Sequence, residues 1–364
     1  MHSICCITGI YTEKRHSLYA LPHLSNQEVD EAVHQSHFNQ DVFIAPNGQN
    51  MNLIKHVSNS ITELLITYAS TSAHRTLLPK IAEYSFGTIP EQGSSLNEIL
   101  QQVKGIVEHS LNPSHPRFIG HRDSIPTLMS IIGDFVSSKL NNNMLSLEMS
   151  LVFSQMEVQV LKEIAKRFGY DENAGGVMVS GGTLANMQAL TVARNHAFNV
   201  REEGLTGLNG QSVLFASEVA HTSLQKVAMI LGIGISAVIP IRTNSNSQML
   251  IEDLEAKIQQ ALAHGKKPFA IVATAGTTVT GNIDPISEIV SVAKRYQLWL
   301  HVDAVYGGAL IFSAKNRGRL KGIEEADSIT FNPKKWMYIA KTCAMVLFKD
   351  AEFCKENSVF PLRI

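Results

Sequence analysis

Leu298-Trp299-Leu300-His301-Val302-Asp303-Ala304-Val305-Tyr306-Gly307-Gly308 is the stretch on which the reading of the fold turns. Its first six residues read as a buried strand that ends on a carboxylate, and small residues follow at once. Open α/β sheets bind their ligands outside the carboxyl ends of the strands, and Asp303 stands at such an end. Downstream, Ala326-Asp327-Ser328-Ile329-Thr330-Phe331-Asn332-Pro333-Lys334-Lys335-Trp336 repeats the arrangement with amines in place of the carboxylate. The apolar strand Ser328 to Phe331 cannot run past Pro333, which lacks an N–H and has a fixed φ. By itself this turn also fits a surface bend with two solvated lysines. A lysine at the end of a buried strand costs desolvation energy unless its amine is used or paired. The carboxylate upstream supplies a reason to use it.

Working outward, Gly176 to Ser180 is a short strand, Gly181-Gly182-Thr183 a loop, and about Leu184 to Phe198 a helix. The two glycines let the backbone approach a ligand, and Thr183 adds a hydroxyl. Free N–H groups and the helix dipole favour a phosphate there. The pattern G-x-G-x-x-G is absent and no lysine follows the glycines, so a Rossmann or Walker loop fits poorly. Ser212 to Ala216 is the next strand, followed by Ser217-Glu218-Val219-Ala220-His221-Thr222-Ser223. Ser236 to Ile241 and Phe269 to Thr274 read as strands on either side of an amphipathic helix, Ile251 to Ala263. Thr274 closes its strand with a hydroxyl, Asp284 is expected to cap the helix after it, and Ala344 to Phe348 is the last clear strand. About seven buried strands with helices between them define an α/β, mostly parallel sheet flanked by helices. An aspartate and a lysine at strand ends, with a phosphate loop, are the groups that pyridoxal 5'-phosphate requires. The lysine carries the cofactor, and the carboxylate keeps the pyridine nitrogen protonated so that the ring can accept electrons.

The rest of the chain bounds the answer. Its 364 residues carry a net charge of −1 and are 45% hydrophobic, which suits a globular protein with an ample core. Without a basic excess there is no electrostatic case for nucleic acid or an anionic membrane as partner. Cys5, Cys6, Cys343 and Cys354 show no metal-ligand spacing, and they suit a reducing cytoplasm. Met1 to Ala20 is neither a signal peptide's apolar core nor a span of about 20 apolar residues. Residues 1–111 read as a helical N-terminal segment. Ser25-Asn26-Gln27-Glu28 resembles a capping box, Val57 to Tyr68 offers an apolar face through Ile61, Leu64 and Leu65, and a third helix runs from about Ser94 to Leu111. Asn112-Pro113-Ser114-His115-Pro116-Arg117-Phe118-Ile119-Gly120-His121 is a loop, since two prolines forbid a helix. Ser154 to Phe168 is a helix with a core-facing stripe at Met156, Val160, Ile164 and Phe168.

Together these motifs resemble the group II pyridoxal-phosphate decarboxylases, the family of glutamate, aromatic amino acid and diaminobutyrate decarboxylases. The family's H-V-D-A segment is matched at His301 to Ala304, and its N-P-x-K-W segment at Asn332 to Trp336. Its S-G-G-[ST]-x-[AG]-N segment is matched at Ser180 to Asn186, S-x-x-A-H-x-S at Ser217 to Ser223, and A-T-x-G-T-T at Ala273 to Thr278. The resemblance implies a fold-type-I, transferase-like large domain over residues 112–349. It implies Lys335 as the cofactor lysine, Asp303 as the pyridine partner and His221 as the residue stacked on the ring. Ser180, Gly181, Gly182 and Thr183 would hold the phosphate, with Thr274 and Asn332 beside the cofactor. The family's H-P-R-F segment implies that His115, Arg117 and His121 meet the substrate. Position x is usually His or Gln in the family and is Lys334 here. Lys334 would either lower the pKa of Lys335 by like-charge repulsion or point to solvent.

The implied activity is decarboxylation of an L-amino acid to an amine and CO₂, in a cytoplasmic homodimer. Ile119-Gly120-His121 with Asn143-Met144 leans toward diaminobutyrate-like, aliphatic substrates. Transamination or aldehyde formation would use the same groups, because the fold does not choose between them. Family members continue past the cofactor lysine into a mobile loop and a C-terminal small domain, and residues 350–364 are too short to build one. The expectation is therefore a truncated or split form, or a subunit completed by a partner chain, with a non-catalytic paralogue as an alternative.

Overall fold

The computed structural model of the protein describes residues 44, 48–79, 94–119, 123–355 and 357. The Ser25–Glu28 helix start, Cys5, Cys6, His121 and the terminal Phe360–Ile364 lie outside the described residues. The described residues fall into two compact units, a smaller one within residues 44–119 and a larger one from residue 123 onward.

The smaller unit contains α1 (Met51–Ser70) and α2 (Leu96–Glu108). A complete capping box starts α2: Ser95 Oγ accepts the Glu98 N–H at 3.3 Å, and the Glu98 carboxylate accepts the Ser95 N–H at 2.7 Å. The expected apolar face of α1 is covered in part, since Ile61 and Leu64 are half-buried and Leu65 is exposed. Asn112 is buried, and its amide donates to the Ser72 carbonyl at 2.8 Å. From there the chain turns, with the Phe118 N–H donating to the His115 carbonyl.

The larger unit opens with α3 (Leu128–Leu140) and α4 (Leu151–Arg167). On α4 and its cap, Val160, Ile164 and Phe168 are buried and Met156 packs against them, as their four-residue spacing requires. The sheet follows, with β1 (Gly175–Val179), β2 (Ser212–Ser217), β3 (Val238–Ile241), β4 (Lys267–Thr274), β5 (Trp299–Ala304), β6 (Ser328–Phe331) and β7 (Ala344–Phe348). Helices α5 (Gly182–Phe198), α6 (Ser223–Ile230), α7 (Ile251–Ala263) and α8 (Ile286–Tyr296) connect them, and α9 (Ala351–Lys355) follows β7.

These strands form one seven-stranded sheet in the order β1-β7-β6-β5-β4-β2-β3. Only β7 is antiparallel to its neighbours, β1 and β6. The remaining ladders are parallel. Buried on both faces, β2, β5, β6 and β7 carry no exposed residue, and β4 is buried from Phe269 to Thr274. Because β1 to β6 point the same way, their C-terminal ends share one edge, and β7 starts there. The β6–β7 connection therefore begins and ends at that edge.

Two differences from the sequence reading have local causes. The strand expected from Ser236 begins at Val238, because Ile235–Ala237 forms a 3₁₀ turn with the Ala237 N–H on the Gly234 carbonyl. Pro240 fits within β3 because β3 is an edge strand. Asp284 is not the helix cap: Pro285 occupies that position, and the buried Asp284 carboxylate accepts the N–H groups of Met249 and Thr274, both at 2.8 Å. Burial pushes the Asp284 carboxyl up to about 6, against those two bonds. Among the described residues no helix is long and apolar enough to cross a membrane.

Candidate active site

At the shared edge, the sheet collects the groups that the sequence singled out. Thr274 ends β4 and lies opposite Asp303 in the parallel β4–β5 register, and Thr330 lies opposite Asp303 on β6. The Asp303 carboxylate is buried, 6% exposed, and accepts the Asn186 amide at 2.8 Å and the Val305 N–H at 3.2 Å. Burial raises the pKa of Asp303, against those two hydrogen bonds and the charge of His221. His221 is exposed just beyond β2, and its Nδ1 accepts the Ser223 N–H at 3.1 Å, which leaves the ring proton of the neutral imidazole on Nε2.

Ser180 and Thr183 are exposed at the turn between β1 and α5. The Leu184 N–H donates to the Gly181 carbonyl at 3.1 Å, and no side chain caps the start of α5 over Gly182 and Thr183. A Cβ on Gly181 would meet nothing within 4 Å, whereas one on Gly182 would lie 2.6 Å from Val305 Cγ2. The loop is thus open at Gly181 and closed by packing at Gly182.

The β6–β7 connection starts at Asn332, whose buried Oδ1 accepts the Lys334 N–H at 3.0 Å. That bond and Pro333 fold the chain sharply after β6. Lys335 Nζ reaches Asp123 Oδ1 at 3.4 Å, and Lys341 Nζ reaches Asp123 Oδ2 at 2.9 Å. Burial works to raise the Asp123 pKa, and the Lys341 hydrogen bond with the charges of Lys335, Lys341 and Lys334 brings it below the usual carboxylate range. Lys334 is half-buried, and its pKa is lowered first by burial and then by the charge of Lys335. Ser124 Oγ donates to the Lys334 carbonyl at 2.9 Å, the Thr127 N–H donates to the Tyr338 carbonyl at 2.8 Å, and Trp336 packs edge-on against Tyr306. The lysine turn is thereby held at several points.

Behind Asp303 runs a buried polar chain that the sequence reading did not assign. Trp299, His301 and Asp303 alternate along β5 and so share one face. Asn186, one turn into α5, bridges His301 Nε2 and Asp303. The available signal was the two-residue spacing of His301 and Asp303, with Asn186 closing the glycine-loop segment. Asp123 carried no sequence signal, since its role depends on which lysine folds against it.

Ser180, Gly181, Gly182, Thr183, His221, Thr274, Asp303, Asn332 and Lys335 thus all belong to the larger unit and lie at or just beyond the same sheet edge. His115, half-buried, and Arg117, exposed, belong to the smaller unit, where His115 Nδ1 accepts the Arg117 N–H at 3.0 Å. A cavity of about 570 Å³ lined by His196, Phe269, Trp299, Asp327 and Phe353 lies by the opposite ends of the strands and contains none of the predicted site residues.

Two features test whether pyridoxal phosphate suits this edge. Thr274 Oγ1 is buried with no hydrogen-bond partner among the described residues. Asp303 is a buried carboxylate held by amide and backbone donors, so a cationic N–H facing it would relieve the cost of its burial. With an open, uncapped helix start and a lysine across the sheet edge, the donor set suits a phosphorylated, protonated pyridine aldehyde.

A parallel sheet with one reversed strand, a glycine loop after β1, an aspartate on β5 and a lysine after β6 defines a fold-type-I pyridoxal-phosphate protein. Residues 82–362 match the pyridoxal-dependent decarboxylase conserved domain, and the chain belongs to that family. It is 36% identical over 261 residues to the acidic amino acid decarboxylase GADL1 of Bos taurus, covering 71% of this chain and 50% of that protein. The crystal structure of mouse CSAD in its apo form superposes with a TM-score of 0.81 at 30% identity, covering 84% of this chain and 66% of that one. The glutamate decarboxylase domain of a diaminobutyrate-pyruvate transaminase and L-2,4-diaminobutyrate decarboxylase from Vibrio parahaemolyticus gives a TM-score of 0.77 at 27% identity, over 90% of this chain and 72% of that one. The chain thus spans half the length of the bovine relative and about two thirds of mouse CSAD.

Proposed function

We propose that this protein is a pyridoxal-phosphate-dependent carboxy-lyase that converts an aliphatic L-amino acid to its amine and CO₂. The observation that carries the proposal is the buried Asp303 carboxylate on the sheet edge from which Lys335 also projects. Pyridoxal phosphate, when bound, supplies an electron sink for the pair left behind as the carboxylate departs. Lys335 would carry the cofactor through its amine, and Asp303 would hold the proton on the ring nitrogen. The N–H groups of Gly182 and Thr183 with the Thr183 and Ser180 hydroxyls would bind the phosphate. His221 would cover the ring and offer its Nε2 proton, and the unpartnered Thr274 hydroxyl would anchor the cofactor's edge. Asn332 sets the turn that presents Lys335. Asp123, ion-paired to Lys335, would hold the free amine in place.

The segments 119–121 and 143–144 lean toward diaminobutyrate-like substrates. The bovine relative's name, an acidic amino acid decarboxylase, and the two lysines (334 and 341) that share the single Asp123 carboxylate with the proposed cofactor lysine favour an acidic aliphatic side chain. We adopt the acidic reading. The working form we propose is a cytoplasmic homodimer. Supporting it are the buried Cys354 thiol and the exposed apolar row Leu128, Met129, Ile131, Ile132, Phe135 and Leu140 on α3.

Borohydride reduction in the presence of pyridoxal phosphate, followed by peptide mapping, tests the site. A pyridoxyl label on Lys335 that disappears in Lys335→Ala is expected, and a label on Lys334 would move the cofactor lysine. An amine and CO₂ from L-glutamate or L-aspartate, above L-2,4-diaminobutyrate and an aromatic amino acid, is the expected result of a substrate screen. A keto acid, or an aldehyde with ammonia, would overturn the reaction type.

A further inference from the structure

The chain behind Asp303 is directional, and its direction can be deduced from donors and acceptors alone. Trp299 Nε1–H donates to Ser328 Oγ at 2.8 Å. Ser328 Oγ lies 2.9 Å from His301 Nδ1, and His301 Nε2 lies 3.1 Å from Asn186 Oδ1. Asn186 Nδ2 donates to Asp303 Oδ2 at 2.8 Å and to Ser223 Oγ at 3.1 Å. An ionised carboxylate only accepts, so the amide must face Asp303 with its nitrogen. Asn186 Oδ1 then faces His301 and can only accept, so Nε2 carries the imidazole proton. Thr330 Oγ1, at 3.3 Å from the same nitrogen, is a second acceptor. In the neutral ring Nδ1 is then an acceptor, which the Ser328 hydroxyl fills by donating. Trp299, a donor only, holds that hydroxyl in this sense. Ser328 and His301 are 0% exposed and Asn186 is 1% exposed, so water does not compete for these bonds. Burial also lowers the pKa of His301 to about 3, which keeps the ring neutral.

We propose that His301 is a positioning residue for the cofactor: acting through Asn186, it fixes the Asp303 carboxylate as acceptor for the pyridine nitrogen, while Ser328 and Trp299 lock its Nε2–H tautomer. This role rests on the pyridoxal reading of the site. Without the histidine donor, Asn186 Oδ1 is left buried without its N–H partner, and the amide that holds Asp303 is no longer pinned from behind. The strand explains why these residues cooperate. His301 and Asp303 are two apart on β5, Ser328 and Thr330 are their register partners on β6, and Asn186 comes down from α5 onto the same face.

The test has one arm that needs no cofactor. In cofactor-free protein with ¹⁵N-labelled histidine, long-range ¹H–¹⁵N correlation is expected to show His301 as the neutral Nε2–H tautomer at pH 7. Ser328→Ala, which removes the hydroxyl that donates to Nδ1 and accepts from Trp299 Nε1, is expected to let a minor Nδ1–H population appear beside Nε2–H. In the second arm, the pyridoxal phosphate dissociation constant is measured by absorbance. His301→Leu and Asn186→Leu are each expected to weaken binding about 10-fold, the size usual for groups that orient a ligand's partners. The double variant should lose no more than either single one, and His301→Gln, which keeps an N–H near the Nε2 position, should stay within about 3-fold of wild type. Should a leucine variant fail to melt cooperatively, the Ser328→Ala tautomer and its binding constant still decide the matter. An Nδ1–H or protonated ring in wild type overturns the relay, as does unchanged binding in the folded variants or fully additive losses. Wild type with the Nε2–H ring but no affinity for pyridoxal phosphate overturns the decarboxylase reading, and with it reduces the relay to structural support.

Discussion

Asp303 is the residue on which the proposed chemistry depends, and its environment allows little substitution. Asp303→Asn keeps the shape but replaces the charge that would hold a proton on the pyridine nitrogen. Turnover is expected to fall at least about 100-fold, on the scale of losing one preorganised polar group, with the fold retained; near-normal turnover would remove Asp303 from the mechanism. His301 lends itself to a pH test. Its folded pKa is depressed from 6.5 to about 3, so the unfolded chain binds the extra proton between those values. Stability is therefore lost as pH falls through that window. By pH 5 the loss amounts to about 2 kcal/mol. Asp284 works in the opposite sense, because its folded pKa is raised from 3.8 to about 6 and stability falls as pH rises between them. Comparing variant with wild type isolates the histidine. Urea unfolding of His301→Gln at pH 7 and pH 5 should show the variant gaining about 2 kcal/mol relative to wild type at the lower pH. A pH-independent difference would mean that His301 titrates normally.

Among the elements, β1, β4, β5, β6 and β7 were legible because strands buried within a covered sheet read as continuous apolar runs punctuated by glycine, proline or polar residues. The lysine turn was legible for the same reason, since Pro333 must end the strand. Helix α3 was not. It buries Ser130 and Gly133 and turns Leu128, Met129, Ile131, Ile132 and Phe135 outward, so its apolar positions do not mark the side covered by its own chain. The polar relay was also illegible as a unit, because it exists only once β5, β6 and α5 are in register. Asp284 misled for a related reason: a carboxylate before a helix usually caps it, but this one joins two other backbone segments. The start of α5 makes its own prediction. A methyl group at residue 182 would lie 2.6 Å from the Val305 side chain, itself two residues past Asp303. Gly182→Ala is expected to cost about 1–3 kcal/mol in chemical denaturation and to weaken cofactor binding. Gly181→Ala, where the added carbon meets nothing within 4 Å, should leave unfolding nearly unchanged. Equal effects at the two glycines would mean that the loop is not packed against Val305.

For the molecule as a whole, the outward row on α3 is the feature that the described residues leave exposed. Phe135 is 67% exposed and Leu128 70% exposed, more than isolated surface apolar residues require. If a second copy covers this face, sedimentation of the wild-type protein should report a dimer. Phe135→Glu should shift it toward monomer while changing monomer stability by no more than about 0.5 kcal/mol, as exposed substitutions usually do. A wild-type monomer at tens of micromolar would remove the self-association reading.

The position of β7 has a consequence for how the protein is made. Among the described residues β1 is hydrogen-bonded in the sheet only to β7, with Gly175 beside Phe348 and Val179 beside Ala344. The strand that delivers the glycine loop is thus translated early, and the strand that secures it is translated last of the seven. A ribosome must complete nearly the whole sheet before that loop can be fixed against it, so the nascent chain waits with an unpaired strand exposed. Pairing across so much intervening chain is slow to nucleate, and it makes the glycine loop, the proposed phosphate cradle, the final part of the sheet edge to mature. Premature termination between Lys335 and Ala344 would then yield a chain that keeps the proposed cofactor lysine but has no partner strand to hold the glycine loop in place.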